Sequence, residues 1–417
     1  MRAGKMNTVS VESNQSQSSS SPFKGNFTVI TLSSVVKSFG GGLISAYVSL
    51  YFVELGGDPV ALGLMAAFAS IIGSAMFLLG GFIADYHGRR KIVVLAAFYG
   101  VFFPSLYAVV QDWRLFAALN VVAAFGLVSS PAIHALVVDS ISPGKRTMGI
   151  ASLQVFSSLP VAVAPLIGGW LIQNNGLING FRLACIYAGI SAFISALILL
   201  LLKETLQCGA NAKSGLSNYS KLKGILQLPR SLPFSLKGLM LSYGFVAFAN
   251  GAVGQYYILY ASSVVGLTPL EWAPIASLQS LVIILKIPGG WLSDKLGKRK
   301  IMMFSVLACA PCGVLFTLSH SFFQVLIVSL LLIVTGAYFA PAYEALQADL
   351  TPRIMRGRIT ALWQLNGGLS TAVGALLGGF AFQAVDPTLP FYLFTAAEFV
   401  AGLFLISLVR EPEKKEI

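Results

Sequence analysis

The chain has 417 residues, of which 56% are hydrophobic and only 11% are charged. Soluble proteins carry roughly 25% charged residues, so this composition excludes an ordinary soluble fold. A net charge of +12 in a soluble protein would suggest nucleic-acid binding. Here the basic residues lie in short loops between apolar segments, which indicates membrane topology and no nucleic-acid partner.

Twelve apolar segments follow one another, each long enough to cross roughly 30 Å of hydrocarbon as a helix. The predicted spans are residues 28–53, 60–84, 92–110, 115–138, 148–172, 183–202, 236–262, 272–292, 301–318, 322–346, 359–382 and 391–409. This pattern predicts an all-α polytopic membrane protein with twelve transmembrane helices. Its domains would be a disordered tail (1–26), an N-terminal bundle (27–202), a central loop (203–235), a C-terminal bundle (236–409) and a short tail (410–417).

The distribution of Lys and Arg predicts the orientation. Of the 28 basic residues, 24 lie in the tails and in the loops that follow even-numbered spans. Arg114 and Arg182 lie on the opposite side, and Lys37 and Lys286 lie within spans. Because basic loops stay inside, we expect a multi-pass cell-membrane protein with both termini in the cytoplasm.

A signature motif occurs once in each half, with an offset of 209 residues. The first copy, Gly-Phe-Ile-Ala-Asp-Tyr-His-Gly-Arg-Arg-Lys, occupies residues 81–91 after the second span. The second copy, Gly-Trp-Leu-Ser-Asp-Lys-Leu-Gly-Lys-Arg-Lys, occupies residues 290–300 after the eighth span. The matched positions are Gly81, Asp85, Gly88, Arg89 and Arg90, and Gly290, Asp294, Gly297, Lys298 and Arg299. Such duplication predicts two similar halves of six spans each.

A second motif is duplicated as well. Pro-Ala-x-x-Ala-Leu-x-x-Asp ends the fourth span at Asp139 and the tenth span at Asp349. Further matched pairs follow at nearly the same offset: Arg146 and Arg356, Gln154 and Gln364, Gly168-Gly169 and Gly378-Gly379. Two duplicated motifs in matching loops make a chance match very improbable.

These residues resemble the major facilitator superfamily, and the resemblance covers essentially the whole chain beyond the tail. It implies two six-helix bundles that face each other across a central cavity lined by the first, fourth, seventh and tenth helices. It also implies alternating access by rocking of the two halves.

The signature loops are interpreted as conformational latches. An aspartate such as Asp85 at a helix end can accept hydrogen bonds from the N-terminal amides of a neighbouring helix, or from an arginine across the seam. Gly81 would let another helix approach closely, and Gly88 would permit a tight turn. Asp139, Arg146, Asp349 and Arg356 are assigned to the same latch. The alternative is that the basic residues only anchor the topology.

The fifth span carries Ala-Pro-Leu-Ile-Gly-Gly, with Pro165, Gly168 and Gly169 as helix-packing residues. It is similar to the Gly-Pro-x-x-Gly-Gly core of drug/proton antiporters within the superfamily. The match is partial, because Phe156 and Pro160 stand where that pattern has glycines. The resemblance favours efflux, and ordinary small-residue packing is the alternative.

Ionisable and polar side chains within the spans are candidates for substrate binding or proton coupling, because their burial in a membrane is costly. They are Lys37, Tyr47, His134, Gln154, Asn250, Gln255, Tyr256, Lys286, Tyr338, Glu344, Gln364 and Glu398. Lys37 either lies at membrane depth or snorkels at the cytoplasmic mouth. Lys286 and Glu398 have Phe77 and Ala188 as their repeat equivalents, so neither charge belongs to the duplicated scaffold.

Three functions stay open at this point. The first is a monomeric secondary transporter that exports amphipathic small molecules, with the proton as coupling ion. The second is an importer of a sugar or other metabolite, and the third is a non-transporting sensor. The sequence has no Gly-x-x-x-x-Gly-Lys-Ser/Thr motif for a primary pump and no nucleophile–base constellation for an enzyme. Its four cysteines form no metal-binding pattern, so we expect no metal or cofactor.

Overall fold

The computed structural model describes residues 25–142, 146–205, 232–280, 282–351 and 356–411. Within these ranges the chain is almost entirely helical and has twelve helices that are long and apolar enough to span a membrane. Most of the predicted tails and of the central loop lies outside the described residues.

Most helix ends of the N-terminal half lie a few residues beyond the predicted ends, but the sixth helix stops at Leu199 rather than at residue 202. They are Asn26–Ser45 continued by Val48–Glu54, Pro59–His87, Arg89–Val109, Trp113–Asp139, Arg146–Asn175 and Leu177–Leu199. The sixth span differs most, since it begins at Leu177 rather than at residue 183. Arg182 therefore lies in a helix and not in a loop, and its guanidinium donates to the Val110 carbonyl at 3.1 Å.

The C-terminal half repeats this arrangement. Its spans are Phe234–Gly254 continued by Tyr257–Ser263, Pro269–Leu296, Lys298–Thr317, Phe322–Leu350, Arg356–Ala384 and Leu389–Leu408. The first and seventh spans are interrupted at equivalent positions, immediately before Val48 and before Tyr257. At each break an i→i−3 bond replaces the helical one, from Tyr47 N to Ile44 O and from Tyr256 N to Val253 O.

The two halves pack through two pairs of spans. The second span lies against the eleventh, and the fifth lies against the eighth. Four hydrogen bonds between described residues join the halves, and all of them lie at the end opposite the signature loops. We call this closed end the far end, and the end that carries the signature loops the basic end.

Aromatic layers support the far end within each half. Tyr51 stacks on Phe181 with ring centroids 4.1 Å apart, and Phe316 stacks on Phe391 at 5.0 Å. All four rings are fully buried. Offset-stacked ring pairs add roughly 0.5–1.5 kcal/mol to the burial of their area, so these pairs help to stabilise the far end of each bundle.

Candidate functional site

A cavity of about 480 Å³ lies between the two halves, on the inner side of the far end. Residues of the first, second, fourth, seventh and eleventh spans form its wall. Its polar side chains are those of Ser45, Ser70, Asn120, Asn250, Gln255 and Thr371. None of the described lining residues is charged. This cavity is large enough for a small organic molecule, since such sites occupy about 300–1,000 Å³.

Two of the predicted cavity residues line this space. The Asn250 amide donates to the Val246 carbonyl at 2.8 Å, one turn earlier in the seventh span. Gln255 lies in the break of that span, and its Oε1 accepts from Ser49 Oγ of the other half at 3.1 Å. Gln255 therefore contributes both to the cavity wall and to the contact between the halves.

Tyr47 and Tyr256 lie elsewhere than in the cavity wall. Both are fully buried at the far end. The Tyr47 hydroxyl contacts the carbonyl of Pro165 in its own half at 2.7 Å and that of Pro269 in the other half at 3.3 Å. The Tyr256 hydroxyl contacts Ala375 O in its own half at 3.1 Å and Pro59 O across the seam at 3.2 Å. These repeat-related tyrosines therefore join the halves symmetrically.

The duplicated glycine pairs lie directly beside these tyrosines. Gly168 packs against the backbone of Leu43 in its own half, while Gly169 faces the other half. A Cβ at Gly169 would lie 2.9 Å from Pro269 O, and one at Gly379 would lie 2.6 Å from Pro59 O. One glycine of each pair thus permits packing within a half, and the other permits closure between the halves.

The signature loops turn at glycines in the left-handed region of backbone space. Gly88 has φ 93° and Gly297 has φ 99°, so both require the freedom of glycine. The next residue in each copy pairs with the acidic end of a neighbouring span. Arg89 pairs with Asp139, and Lys298 pairs with Asp349.

A second contact in each signature loop was not predicted from the sequence. The Glu204 carboxylate accepts from the Arg90 amide at 3.0 Å, and Glu411 accepts from the Arg299 amide at 2.6 Å. Each glutamate follows the last span of its half and caps the first turn of the third or ninth span. The signal was present, because a basic residue followed by Glu occurs after both the sixth and the twelfth span.

The close helix approach expected at the first motif glycine lies one residue earlier. A Cβ at Gly81 would meet Pro131 only at 4.0 Å, and one at Gly290 would meet Pro341 at 3.8 Å, both ordinary contacts. In contrast, a Cβ at Gly289 would lie 2.9 Å from the Ala337 carbonyl. The motif glycines are therefore not the ones that this packing requires.

The structure describes only the backbone for most of the remaining residues that the sequence assigned to the latch. Asp85, Arg146 and Arg356 have helical backbone, and their side chains lie outside what the structure describes. Asp294, the equivalent of Asp85, is exposed at the basic end and makes no hydrogen bond or ion pair with a described residue. The described ion pairs of the signature loops thus lie within each half.

The polar candidates deeper in the spans are dispersed. Lys37 lies about 16 Å along the first helix from Asn26 and shares an exposed stripe with Gly41 and the cavity residue Ser45. His134, Gln154 and Glu344 are exposed, whereas Lys286, Tyr338 and Gln364 are half-buried. None of these is in the central cavity wall, and no ion pair joins them to a described residue.

The architecture was compared with known proteins. A profile of the Major Facilitator Superfamily matches residues 30–285 and 239–417. The chain belongs to the major facilitator superfamily.

Relatives in the superfamily cover most of the chain at low identity. The chain is 24% identical over 382 residues to a cis,cis-muconate transport protein of Acinetobacter baylyi, covering 89% of this chain and 90% of the relative. It is 25% identical over 395 residues to multidrug resistance protein 2 of Bacillus subtilis, covering 92% and 95%. Among solved structures, a peptide transporter superposes with a TM-score of 0.74 at 17% identity, covering 92% and 94%.

Glu398 differs from the other charged candidate residues, because its side chain is fully buried. It lies in the twelfth span and is 2% exposed. It faces a second cavity, whose described lining residues all belong to the C-terminal half. Among the described acidic residues, only this carboxylate is fully buried.

Proposed function

We propose that this superfamily transporter exports amphipathic small molecules from the cell in exchange for protons. The observation that carries the proposal is the uncharged, partly polar cavity between two halves whose hydrogen bonds to each other, among the described residues, all lie at the far end. Amides and hydroxyls on an apolar wall suit substrates with one polar group on an apolar body. Substrates with several anionic groups would need arginines that this wall lacks.

The basic end faces the cytoplasm in this proposal, because basic loops remain inside. Both termini are then cytoplasmic, the membrane is the cell membrane and the structure is closed to the outside. Substrate enters the cavity from the inner side. Export follows when the halves rock about the cavity, so that the far end opens and the basic end closes.

The far-end gate consists of Tyr47 with Gly169 and of Tyr256 with Gly379. Each tyrosine donates to a backbone carbonyl of the other half, and each glycine leaves room for that carbonyl. These contacts exist only while the far end is closed, so they bias the two-state equilibrium towards the inward-open form.

The signature loops act at the opposite end. Since the eighth span packs on the fifth, closing the basic end would bring Asp294 towards the N-terminal turn of the fifth span, where Arg146 lies. A carboxylate is stabilised there by the helix dipole and by the guanidinium. By the repeat relation, the same movement would bring Asp85 towards the N-terminal turn of the eleventh span, where Arg356 lies. The internal pairs Arg89–Asp139 and Lys298–Asp349 keep each loop rigid for this contact.

Efflux is supported by relatives named multidrug resistance proteins and by Pro165 with its glycine pair in the fifth span. Import of a metabolite is the second candidate, because one relative is named a muconate transport protein. The direction of transport relative to the proton gradient distinguishes export from import. Purified protein in liposomes under an imposed proton gradient should move lipophilic cations against the proton flux. Sugar or metabolite uptake without response from those cations would contradict export, and no flux of either kind would favour the sensor.

A further inference from the structure

The second cavity has a volume of about 430 Å³ and lies among the seventh, eighth, ninth, tenth and twelfth spans. Glu398 contributes the only charged side chain among its described lining residues. Its carboxylate makes no hydrogen bond or ion pair with any residue that the structure describes. A buried acidic group without a protein partner is thus presented to a space of ligand size.

The buried carboxylate of Glu398 lacks a counter-charge among the described residues. An unpaired carboxylate is expensive to bury, so it must be neutralised by a proton or by a cation. The scaffold does not demand the group, because the equivalent position in the N-terminal half is Ala188. Since the fold does not require a carboxylate here, the free-energy cost of burying it points to a role in binding.

The rest of the wall indicates the chemistry of the cation. The side chains of Tyr257, Trp272 and Phe394 line the cavity, and aromatic faces attract organic cations by up to about 2 kcal/mol when water is excluded. Ser305 Oγ, also in the wall, is buried without a hydrogen-bond partner among described residues. A tightly bound inorganic cation would need several converging charged ligands, whereas Glu398 is the only carboxylate among the described lining residues.

The groups that titrate near Glu398 are few. The seventh span contributes Tyr257, and the ninth contributes Cys309 and Cys312. The cavity-lining residues of the eighth and tenth spans include no titratable group, and neither does Ile359–Ala384 of the eleventh span. No basic side chain among the described lining residues competes for the carboxylate, so a proton and an organic cation would exclude each other at Glu398.

The two cavities also share part of their walls. Asn250 and Gly254 line both the C-terminal cavity and the central one. Gly254 carries no side chain that could separate them, and Asn250 is held by its own helix. The central cavity and the cavity that contains Glu398 are therefore direct neighbours on either side of the seventh span.

We propose that the C-terminal cavity binds monovalent organic cations with an aromatic or apolar body, and that Glu398 holds either this cation or a proton. The proposal rests on the export function proposed above and names its substrate class and its site of proton exchange.

Equilibrium binding of radiolabelled tetraphenylphosphonium to the full-length protein in lipid nanodiscs tests it. Glu398→Gln should raise the Kd at least about tenfold, equivalent to about 1.4 kcal/mol. Glu398→Asp, which keeps the charge, should restore most of the affinity. Glu54→Gln, a matched change of an exposed glutamate at the end of the first span, should bind as the wild type does.

Acidification should weaken binding to the wild type, and this pH dependence should disappear in Glu398→Gln. Triphenylphosphine oxide, of similar shape but neutral, should bind wild type and Glu398→Gln alike. Trp272→Ala should weaken the cation while keeping the pH dependence, which provides a second test if Glu398→Gln unfolds. Equal Kd values for wild type and Glu398→Gln would overturn the proposal, as would a site that binds sodium but not tetraphenylphosphonium.

Binding is measured without a proton gradient, so it is independent of transport. If the wild type exports amphipathic compounds but binding does not depend on Glu398, only the cavity proposal fails. If binding depends on Glu398 but liposomes show no flux, the proposed export fails and the cavity proposal stands.

Discussion

Alanine at Gly379 should open the far end of the transporter. The new Cβ would lie 2.6 Å from Pro59 O and 3.2 Å from Val60 Cα, both backbone atoms of the other half. Backbone atoms cannot rotate away as a side chain can, so the second and eleventh spans must separate. Gly169→Ala should act in the same direction at the fifth and eighth spans, where the Cβ would lie 2.9 Å from Pro269 O.

The size of the effect follows from overpacking. An extra carbon in a close-packed contact costs about 1–3 kcal/mol, and this cost applies only while the far end is closed. A differential cost of that size shifts the conformational equilibrium by about 5- to 150-fold towards the outward-open form. The shift can be measured as the distance distribution between spin labels at Gln111 and His320, exposed positions in far-end loops of opposite halves.

The matched control is Gly100→Ala in the third span, because a Cβ there meets nothing within 4 Å. It should leave the distance distribution as in the wild type. The longer-distance population should grow in Gly379→Ala and in Gly169→Ala. Unchanged distributions in both, with folded protein, would refute the assignment of these glycines to a far-end gate.

Three further predictions concern other parts of the molecule. Tyr47→Phe and Tyr256→Phe each remove hydroxyl contacts worth about 0.5–1.5 kcal/mol, so the same labels should report smaller shifts towards opening; no shift would contradict the gate. Asp85→Asn should sharply reduce transport while the variant still inserts normally into the membrane. A flux equal to that of the wild type would contradict the latch hypothesis. Hydrogen bonds from Thr388 hold the pKa of Asp386 below its ordinary value. The ionised Asp386 carboxylate therefore stabilises the folded state fully above its ordinary pKa. This stabilisation is lost as the pH falls through the lowered pKa of the folded protein. The difference in Tm between wild type and Asp386→Asn should accordingly shrink on acidification, and a constant difference would contradict this.

Much of the fold could be predicted from the sequence because a bilayer leaves few alternatives. Apolar length locates the spans, and the duplicated loops divide them into two halves. The predicted ends were too short where polar residues continue a helix into the interface, as at Arg182 of the sixth span. Side-chain snorkelling and carbonyl contacts allow this, and hydropathy does not register either.

The site was harder to predict, since membership of the cavity wall depends on helix rotation and on breaks. Tyr47 and Tyr256 lie on cavity-lining spans, but the breaks just before Val48 and Tyr257 turn both rings into the far-end seam. Asn250 and Gln255 stay in the wall. No residue pattern distinguishes the two outcomes before the break geometry is known.

Of the two non-duplicated charges, Glu398 was the better guide, whereas Lys286 lines neither cavity. Glu398 has no charged counterpart in the repeat, and the structure buries it in the wall of the C-terminal cavity. Glu204 and Glu411 were missed for the opposite reason: they belong to the duplicated scaffold but lie beyond the spans, where hydropathy carries no information.

Flux in proteoliposomes under an imposed proton gradient tests the central claim most directly. Purified protein in vesicles with a proton gradient should move a lipophilic cation against the proton flux, and collapse of the gradient should abolish the movement. A flux that persists at full rate without the gradient, or movement of the cation together with the proton, would contradict proton-coupled export.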